Sequence, residues 1–142
     1  MKILLIILTI ICCNLPLRSQ VADSTKYLSL EPRDFQKAFL QEKNSLLIDV
    51  REFFEFRKSR IKGAVNIPST GGYVKTTDTI DKNKALFFYC YSGGRSRKAA
   101  LFFYDKGFRN LYNLKGGITL WKKEKLPVVK KRLKTQGSRL RD

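Results

Sequence analysis

Histidine is absent from this chain of 142 residues, and cysteine is scarce. Without histidine, a cysteine or serine nucleophile has no imidazole to use as a general base, which excludes Cys–His and Ser–His catalysis of the protease kind. The three cysteines are Cys12, Cys13 and Cys90. So few thiols, with no imidazole, cannot supply a closed zinc site. We therefore expect no metal and no cofactor.

Acidic residues are also few, with 12 Asp and Glu against 29 Lys and Arg, which gives a formal net charge of +17. A field of this sign attracts small oxyanions, acidic proteins and lipid head groups. The basic residues are spread along the chain and are densest in Lys130–Arg141. No recognisable nucleic-acid motif accompanies them, so we expect no nucleic-acid partner. We interpret the excess positive charge as keeping the chain soluble. The alternative is that it makes peripheral contact with an anionic surface.

Residues 1–19 differ in character from the rest of the chain. Lys2 is followed by the run Ile3–Ile11, which is apolar except for Thr9, and Ser19 offers a small residue for cleavage before Gln20. This pattern is typical of a secretory signal peptide, and the run is too short for a permanent membrane span. We predict a signal peptide over 1–19, a linker over 20–26 and a periplasmic or secreted protein. The alternative is membrane attachment by an uncleaved signal or by lipid on Cys12 or Cys13.

Removal of this segment leaves Cys90 as the single cysteine of the mature chain. A lone cysteine cannot form an internal disulfide, and an unpaired thiol in an exported protein is a candidate reactive group. By itself, a cysteine at the end of an apolar strand is more often a small buried hydrophobic residue. The residues around Cys90 therefore decide between the two interpretations.

Short apolar runs alternate with helical spacings across residues 27–128. The predicted strands are Tyr27–Leu28, Leu46–Val50, Ala64–Ile67, Ala85–Cys90 and Leu111–Leu114. Helical patterns begin at Pro32, Glu52, Ser96 and Gly117, and the last is expected to end at Pro127. This alternation predicts an α/β fold, a small doubly wound parallel sheet of about five strands flanked by helices. A basic tail is predicted over 129–142.

Cys90 falls at the carboxyl end of a predicted strand, where parallel sheets bind their ligands. The following turn reads Tyr91, Ser92, Gly93, Gly94, Arg95 and Ser96. Glycine lets successive N–H groups point inward as an anion-binding nest, and the next helix adds its positive N-terminal end. Arg95 adds a full charge. A thiol in this field should have a lowered pKa and should be a nucleophile without a general base.

The segment CYSGGRS (90–96) resembles the active-site loop of the rhodanese family, which has Cys, four residues, Arg, and then Ser or Thr. Three other segments resemble the family in the same order, namely LLIDVRE (46–52), IKGAVNIP (61–68) and NLKGGITLWKKEKLPV (113–128). The resemblance extends from about Tyr27 to Val128. The Gly-His of the family signature is Ser59–Arg60 here, which leaves surface or substrate contacts in doubt.

The resemblance implies a sulfurtransferase that moves sulfane sulfur from a donor such as thiosulfate to a thiol or cyanide through a persulfide on Cys90. Residues Tyr91–Ser96 would bind the substrate. Asp49 and Arg51 are expected to support the site. Asp49 could be a catalytic acid, but we favour a role as an acceptor of backbone N–H groups beside the loop. Arg51 is expected to line the mouth and attract anions. The expected partners are a small anionic donor and a thiol acceptor or reductant, and the chain is expected to be monomeric.

Two other functions remain open on the sequence. One is a non-catalytic rhodanese-like module that presents the loop to a partner protein, although the intact Cys90 and Arg95 count against it. The other is a small cysteine-dependent phosphatase or arsenate reductase. Phosphatases with a similar loop carry five residues between Cys and Arg, whereas this chain has four, and no obvious acid on a mobile loop is present.

Overall fold

The structure, a computed structural model, describes residues 25–69 and 71–130. The predicted signal peptide, residues 20–24 of the predicted linker and residues 131–142 of the predicted tail lie outside these ranges. No helix within the two described ranges is long and apolar enough to cross a membrane.

Strands and helices alternate along the described chain. Their order is β1 (Leu28–Leu30), α1 (Pro32–Gln41), β2 (Ser45–Asp49), α2 (Phe53–Lys58), β3 (Ser59–Arg60), β4 (Val65–Asn66), α3 (Tyr73–Thr77), β5 (Ala85–Tyr89), α4 (Gly94–Asp105), β6 (Leu111–Leu114), α5 (Gly117–Lys123) and β7 (Val129–Lys130). Five strands form one sheet in the order β1-β6-β5-β2-β4, and all its pairings are parallel. The predicted α/β fold with a five-stranded parallel sheet is confirmed.

The central strand β5 is buried along its whole length, as a parallel strand covered on both faces must be. Its alternate side chains enter two different cores. Leu86, Phe88 and Cys90 pack with Ala99 and Phe103 of α4 on one face. The other face carries Phe87 and Tyr89, which pack with Phe35 of α1 and with Ile118 and Trp121 of α5. Helices therefore cover both faces of the sheet. The loop after Cys90 lies at the carboxyl end of β5.

The end of α5 and the tail boundary differ from the prediction. The last helix ends at Lys123, not at Pro127, because a turn through Lys125 closes it with the bonds Lys125 N–H to Lys122 O (3.0 Å) and Leu126 N–H to Trp121 O (3.1 Å). Residues 129–130, predicted to open the tail, belong to the fold as β7. They pair antiparallel with β3 in a ribbon too short to leave a periodic pattern.

Candidate active site

Cys90 follows the last residue of β5, and its side chain is only 1% exposed. The loop curls around Sγ, which accepts a hydrogen bond from the Gly93 N–H at 3.1 Å. The Ser96 hydroxyl, at the first turn of α4, lies 3.4 Å from the same sulfur. The structure thus brings the predicted loop together around the thiol as a cradle of hydrogen-bond donors.

The hydrogen bonds of this cradle change the ionisation of Cys90. Burial alone would raise the pKa of the thiol, because desolvation disfavours the charged form. The Ser96 hydroxyl and the backbone N–H groups of Ser92, Gly93 and Ser96 outweigh that effect, so the pKa lies below its ordinary value. A thiol with a lowered pKa carries more thiolate at neutral pH, and thiolate is the nucleophilic form.

The two glycines of the loop are not equivalent. Gly93 caps α4 with φ +97°, and a Cβ there would lie 3.3 Å from both Gly116 N and Leu114 O. A side chain at Gly93 would therefore be strained and crowded. Gly94 is the first residue of α4, and a Cβ there would meet no atom within 4 Å. Only Gly93 is required by the backbone of the cradle.

The amino-terminal end of α5 holds the outer side of the loop. Ile118 N–H donates to Cys90 O at 2.9 Å, and both the N–H and the hydroxyl of Thr119 donate to Tyr91 O, at 3.1 and 2.8 Å. The first two carbonyls of the loop are therefore turned towards α5, which leaves the N–H groups that follow free to face the thiol. A Cβ on Gly117 would come within 2.5 Å of the same two carbonyl oxygens. Gly117 thus permits this close approach.

Arg95 is paired with a residue that the sequence reasoning did not single out. Its guanidinium makes two contacts with the Glu55 carboxylate of α2, Nη1 to Oε2 at 3.1 Å and Nη2 to Oε1 at 3.2 Å. The pKa of Arg95 is raised, chiefly by this hydrogen bond. Burial would raise the pKa of Glu55, but Arg95 and the Glu52 N–H outweigh it and lower that pKa. Arg95 is therefore oriented by Glu55 at the rim of the loop.

Asp49 and Arg51 lie in the interior rather than at the mouth. Asp49 is fully buried and Arg51 is 3% exposed. Arg51 Nε donates to Asp49 Oδ1 at 2.9 Å, and Nη2 donates to Asp49 Oδ2 and to Ser59 O, each at 2.6 Å. Asp49 also accepts the Arg51 N–H at 3.0 Å, which fits its expected role as an acceptor of backbone N–H groups. The expectation that Arg51 lines the mouth is wrong, because this ion pair and the Ser59 carbonyl hold its side chain inside.

The surroundings of the loop are aromatic and basic. Tyr91 is 57% exposed, and Phe53 and Phe54 at the start of α2 are also exposed. A pocket of about 620 Å³ is lined by the loop residues Ser92, Gly93 and Gly94 together with Tyr27, Ser29, Arg97, Asn113, Lys115 and Gly116. Of its two cations, Lys115 is paired with the Glu31 carboxylate, so Arg97 supplies the charge that would attract an anion to this pocket.

Tyr73 is a second residue near the site that the sequence reasoning missed. Its ring packs on Phe102 and Phe103 of α4, at centroid distances of 5.4 and 5.9 Å, and its hydroxyl is buried without a hydrogen-bond partner. Burial and the nearby Cys90 charge raise the pKa of Tyr73 to about 12, so the hydroxyl stays protonated as a donor. Residues 70–82 match no familiar motif, and for Glu55 only the Glu52–Glu55 capping spacing was visible in the sequence.

The cradle predicts a pH-dependent effect of one hydroxyl. Ser96→Ala removes a donor to the thiolate, so the pKa of Cys90 should rise. Alkylation of Cys90 by iodoacetamide, followed across pH, should then reach its half-maximal rate at a higher pH than in the wild type. Ser92→Ala is the matched control, because Ser92 contributes its backbone N–H, which that substitution keeps. Equal pH profiles for the two variants would contradict the role given to Ser96.

Comparison with known proteins places this site in a family. The model of the Rhodanese-like domain matches residues 31–124. The chain is 32% identical over 89 residues to thiosulfate sulfurtransferase GlpE of Glaesserella parasuis, a match that covers 63% of this chain and 82% of that one. It is 33% identical over 91 residues to a tRNA uridine(34) hydroxylase of Pelagibacter ubique, of which the match covers 30%.

A solved structure agrees with these sequence matches. The crystal structure of a rhodanese-related protein from Thermoplasma volcanium superposes with a TM-score of 0.64 at 31% identity. The superposition covers 72% of this chain and 98% of that one. The family match extends over most of the described residues and includes β2, the Cys90 loop and all of α5. The chain therefore belongs to the rhodanese-like domain family.

Proposed function

We propose that this protein is a sulfurtransferase that carries sulfane sulfur as a persulfide on Cys90. The observation that carries the proposal is the cradle, in which the Gly93 N–H and the Ser96 hydroxyl lie against the buried sulfur and lower the pKa of the thiol. Membership of the rhodanese-like family and the likeness to a protein named thiosulfate sulfurtransferase support sulfur transfer. We propose in addition that thiosulfate is a sulfur donor and that the sulfur is carried as a persulfide intermediate.

In the first half-reaction, the Cys90 thiolate attacks the outer sulfur of thiosulfate. A new S–S bond forms on Sγ while the S–S bond of thiosulfate breaks, and sulfite leaves with the bonding electron pair. No proton is transferred, which suits a chain without histidine. The inward N–H groups that stabilised the thiolate would then stabilise the negative charge of the persulfide.

In the second half-reaction, an acceptor thiolate or cyanide attacks the outer sulfur of the persulfide. The bond from Sγ to the outer sulfur breaks, and Cys90 leaves as a thiolate into the same hydrogen bonds. The product is a persulfide of the acceptor or, with cyanide, thiocyanate. Because the cradle stabilises Cys90 as a leaving group, a single set of donors would serve both half-reactions.

The rival functions receive less support from the site. A phosphatase needs a general acid near the cysteine, but the Asp49 carboxylate is fully buried and held by Arg51. The Glu55 carboxylate is paired with Arg95, and its lowered pKa keeps it deprotonated. The loop also keeps only four residues between Cys90 and Arg95. A binding module has no need of a thiol whose pKa is lowered against the effect of its own burial. Sulfur transfer, by contrast, needs no general acid, and it uses both the short loop and the thiol with a lowered pKa.

Mass spectrometry of the intact protein after incubation with thiosulfate tests the proposal. One added sulfur atom, removable by dithiothreitol, is the expected result, because a persulfide is reduced by thiols. The release of sulfite should match the sulfur bound. A protein whose mass is unchanged by thiosulfate and by other sulfane donors, while iodoacetamide still alkylates Cys90, would contradict it.

Arg95 should be needed for the donor more than for the fold. The guanidinium, oriented by Glu55, stands at the rim, where it would meet the anionic donor, so Arg95→Ala should lower kcat/KM for thiosulfate on the order of tenfold to a hundredfold. The Arg95–Glu55 pair is partly exposed, so its loss should change the free energy of unfolding by less than about 1 kcal/mol. Arg33→Ala removes another partly exposed ion pair, with Glu124, and should leave kcat/KM unchanged. Equal kinetic effects of the two substitutions would argue against the role.

The proposed setting is outside the cytoplasm, where a thiol acceptor or reductant must also be present. Residues 1–19 carry the signal-peptide pattern, and an exported thiol with a lowered pKa is prone to oxidation to sulfenic acid or mixed disulfides. We expect protein from the native host to be extracytoplasmic, to begin near Gln20 and to lose activity when no reducing thiol is supplied. Cytoplasmic protein that retains residues 1–19 would overturn export and leave sulfur transfer standing.

A further inference from the structure

A groove of about 480 Å³ lies between the carboxyl-terminal end of α5 and the ribbon of β3 and β7. The Cys90 loop contacts the opposite, amino-terminal end of α5, so the groove is a separate feature. Its lining residues are Lys58, Ser59, Lys122, Lys125, Leu126, Val128 and Lys130. Four of these seven are lysines and none is acidic. We call this feature the lysine groove.

The positive charges of the lysine groove are not neutralised from within the described fold. None of its four lysines forms a salt bridge with a described carboxylate. Lys122 Nζ instead donates to Ser59 Oγ at 2.7 Å, which holds the ammonium group at the groove. The pKa of Lys122 is lowered first by partial burial and then by the charges of Arg51, Lys130 and Lys58. Like charges thus repel one another across the groove.

The backbone at Lys125 provides an independent observation. Lys125 has φ +58°, and it is the single non-glycine residue of the described ranges with a positive φ. It occupies the position after a helix end where glycine is favoured, because glycine adopts the left-handed conformation without strain. Strained residues of this kind concentrate at functional sites. Here the strained residue adds a fourth ammonium group to the groove, which glycine would not do.

We propose that the lysine groove binds a phosphate group, or another oxyanion with two or more negative charges, carried by an organic molecule. Ammonium groups from α2, α5 and β7 surround the groove and would relieve their mutual repulsion by sharing such an anion. Ser59 Oγ accepts from Lys122 and retains its own proton to donate to an oxygen. Leu126 and Val128 provide an apolar wall for the organic part of the ligand. The inference is independent of the proposed sulfur transfer.

The first test separates the contribution of the lysine groove to anion binding from that of the overall positive charge. Pyrophosphate is titrated into the full chain by calorimetry, with the double variant Lys122→Gln/Lys125→Gln beside the control Lys37→Gln/Lys43→Gln. Both variants lose two positive charges, but Lys37 and Lys43 are exposed residues outside the groove. The groove variant should bind at least about tenfold more weakly, as expected for lost charge-assisted hydrogen bonds, and the control should bind like the wild type. Equal affinities for the two variants, or no binding to the wild type, would overturn the proposal.

The second test uses the strain at Lys125 and identifies the source of the phosphate. Lys125→Gly should leave the Tm of the free protein unchanged or raise it, yet reduce the rise in Tm caused by pyrophosphate. Phosphatidylglycerol vesicles, compared with phosphatidylcholine vesicles, then test a lipid head group. Vesicle binding that the groove variant loses would assign a phospholipid, and retained pyrophosphate binding without vesicle binding would assign a soluble phosphate. If Lys125→Gly lowers the Tm of the free protein and leaves the pyrophosphate shift intact, the proposal fails.

Discussion

Cys90→Ser should abolish both the uptake of sulfur from thiosulfate and its transfer to an acceptor. The serine hydroxyl keeps the size of the side chain, but it is not ionised at neutral pH and the chain has no histidine to deprotonate it. Turnover should therefore fall by on the order of a thousandfold or more, to the uncatalysed background. Thiocyanate formation from thiosulfate and cyanide, together with the mass of the intact protein, measures the two steps.

The first control for Cys90→Ser is a test that the variant is still folded. Because Cys90 is buried in the core, the folding of the serine variant has to be measured by circular dichroism and thermal unfolding. We expect both to show the native structure. Ser92→Ala, which alters an exposed side chain of the same loop, should retain most of the activity. If a folded Cys90→Ser protein transferred sulfur at the wild-type rate, the persulfide mechanism would have to be abandoned.

Gly117→Ala should be the most damaging change outside the cradle. A Cβ at this position would lie 2.5 Å from both Cys90 O and Tyr91 O, and the backbone is at φ +58°. The clash involves backbone atoms that cannot rotate away, so we expect destabilisation by about 3 kcal/mol or more. The first carbonyls of the loop would also shift, which should reduce sulfur transfer and raise the pH at which Cys90 becomes reactive.

Gly63→Ala isolates the two causes of this effect. Gly63 also has a positive φ, +86°, but a Cβ there would meet nothing within 4 Å. Its substitution should cost only the backbone strain, about 1 kcal/mol, and should leave the activity unchanged. Denaturant unfolding of both variants gives the comparison. Equal losses of stability would mean that strain alone acts at Gly117 and that the close approach of α5 to the loop is not a constraint.

The sequence by itself determined the α/β class, the approximate strands and the loop at Cys90. Each of these features depends on a pattern of residues that are close together in the sequence. The apolar run ALFFYC marks a strand buried on both faces, and the glycines after it mark the turn into α4. The predicted strands differ from β1, β2, β4, β5 and β6 by at most two residues at either end. By contrast, the ribbon of β3 and β7 has two residues in each strand, too few to produce a recognisable period.

Only the tertiary structure decided which side chains meet. Arg95 and Glu55 are forty positions apart, and their ion pair depends on how α2 packs beside the start of α4. Arg51 was predicted at the mouth, but the Ser59 carbonyl and Asp49 hold it inside. The lysine groove likewise combines residues of α2, β3, α5 and β7. Such contacts leave no local pattern, because the packing of the sheet, and not the spacing along the chain, brings them together.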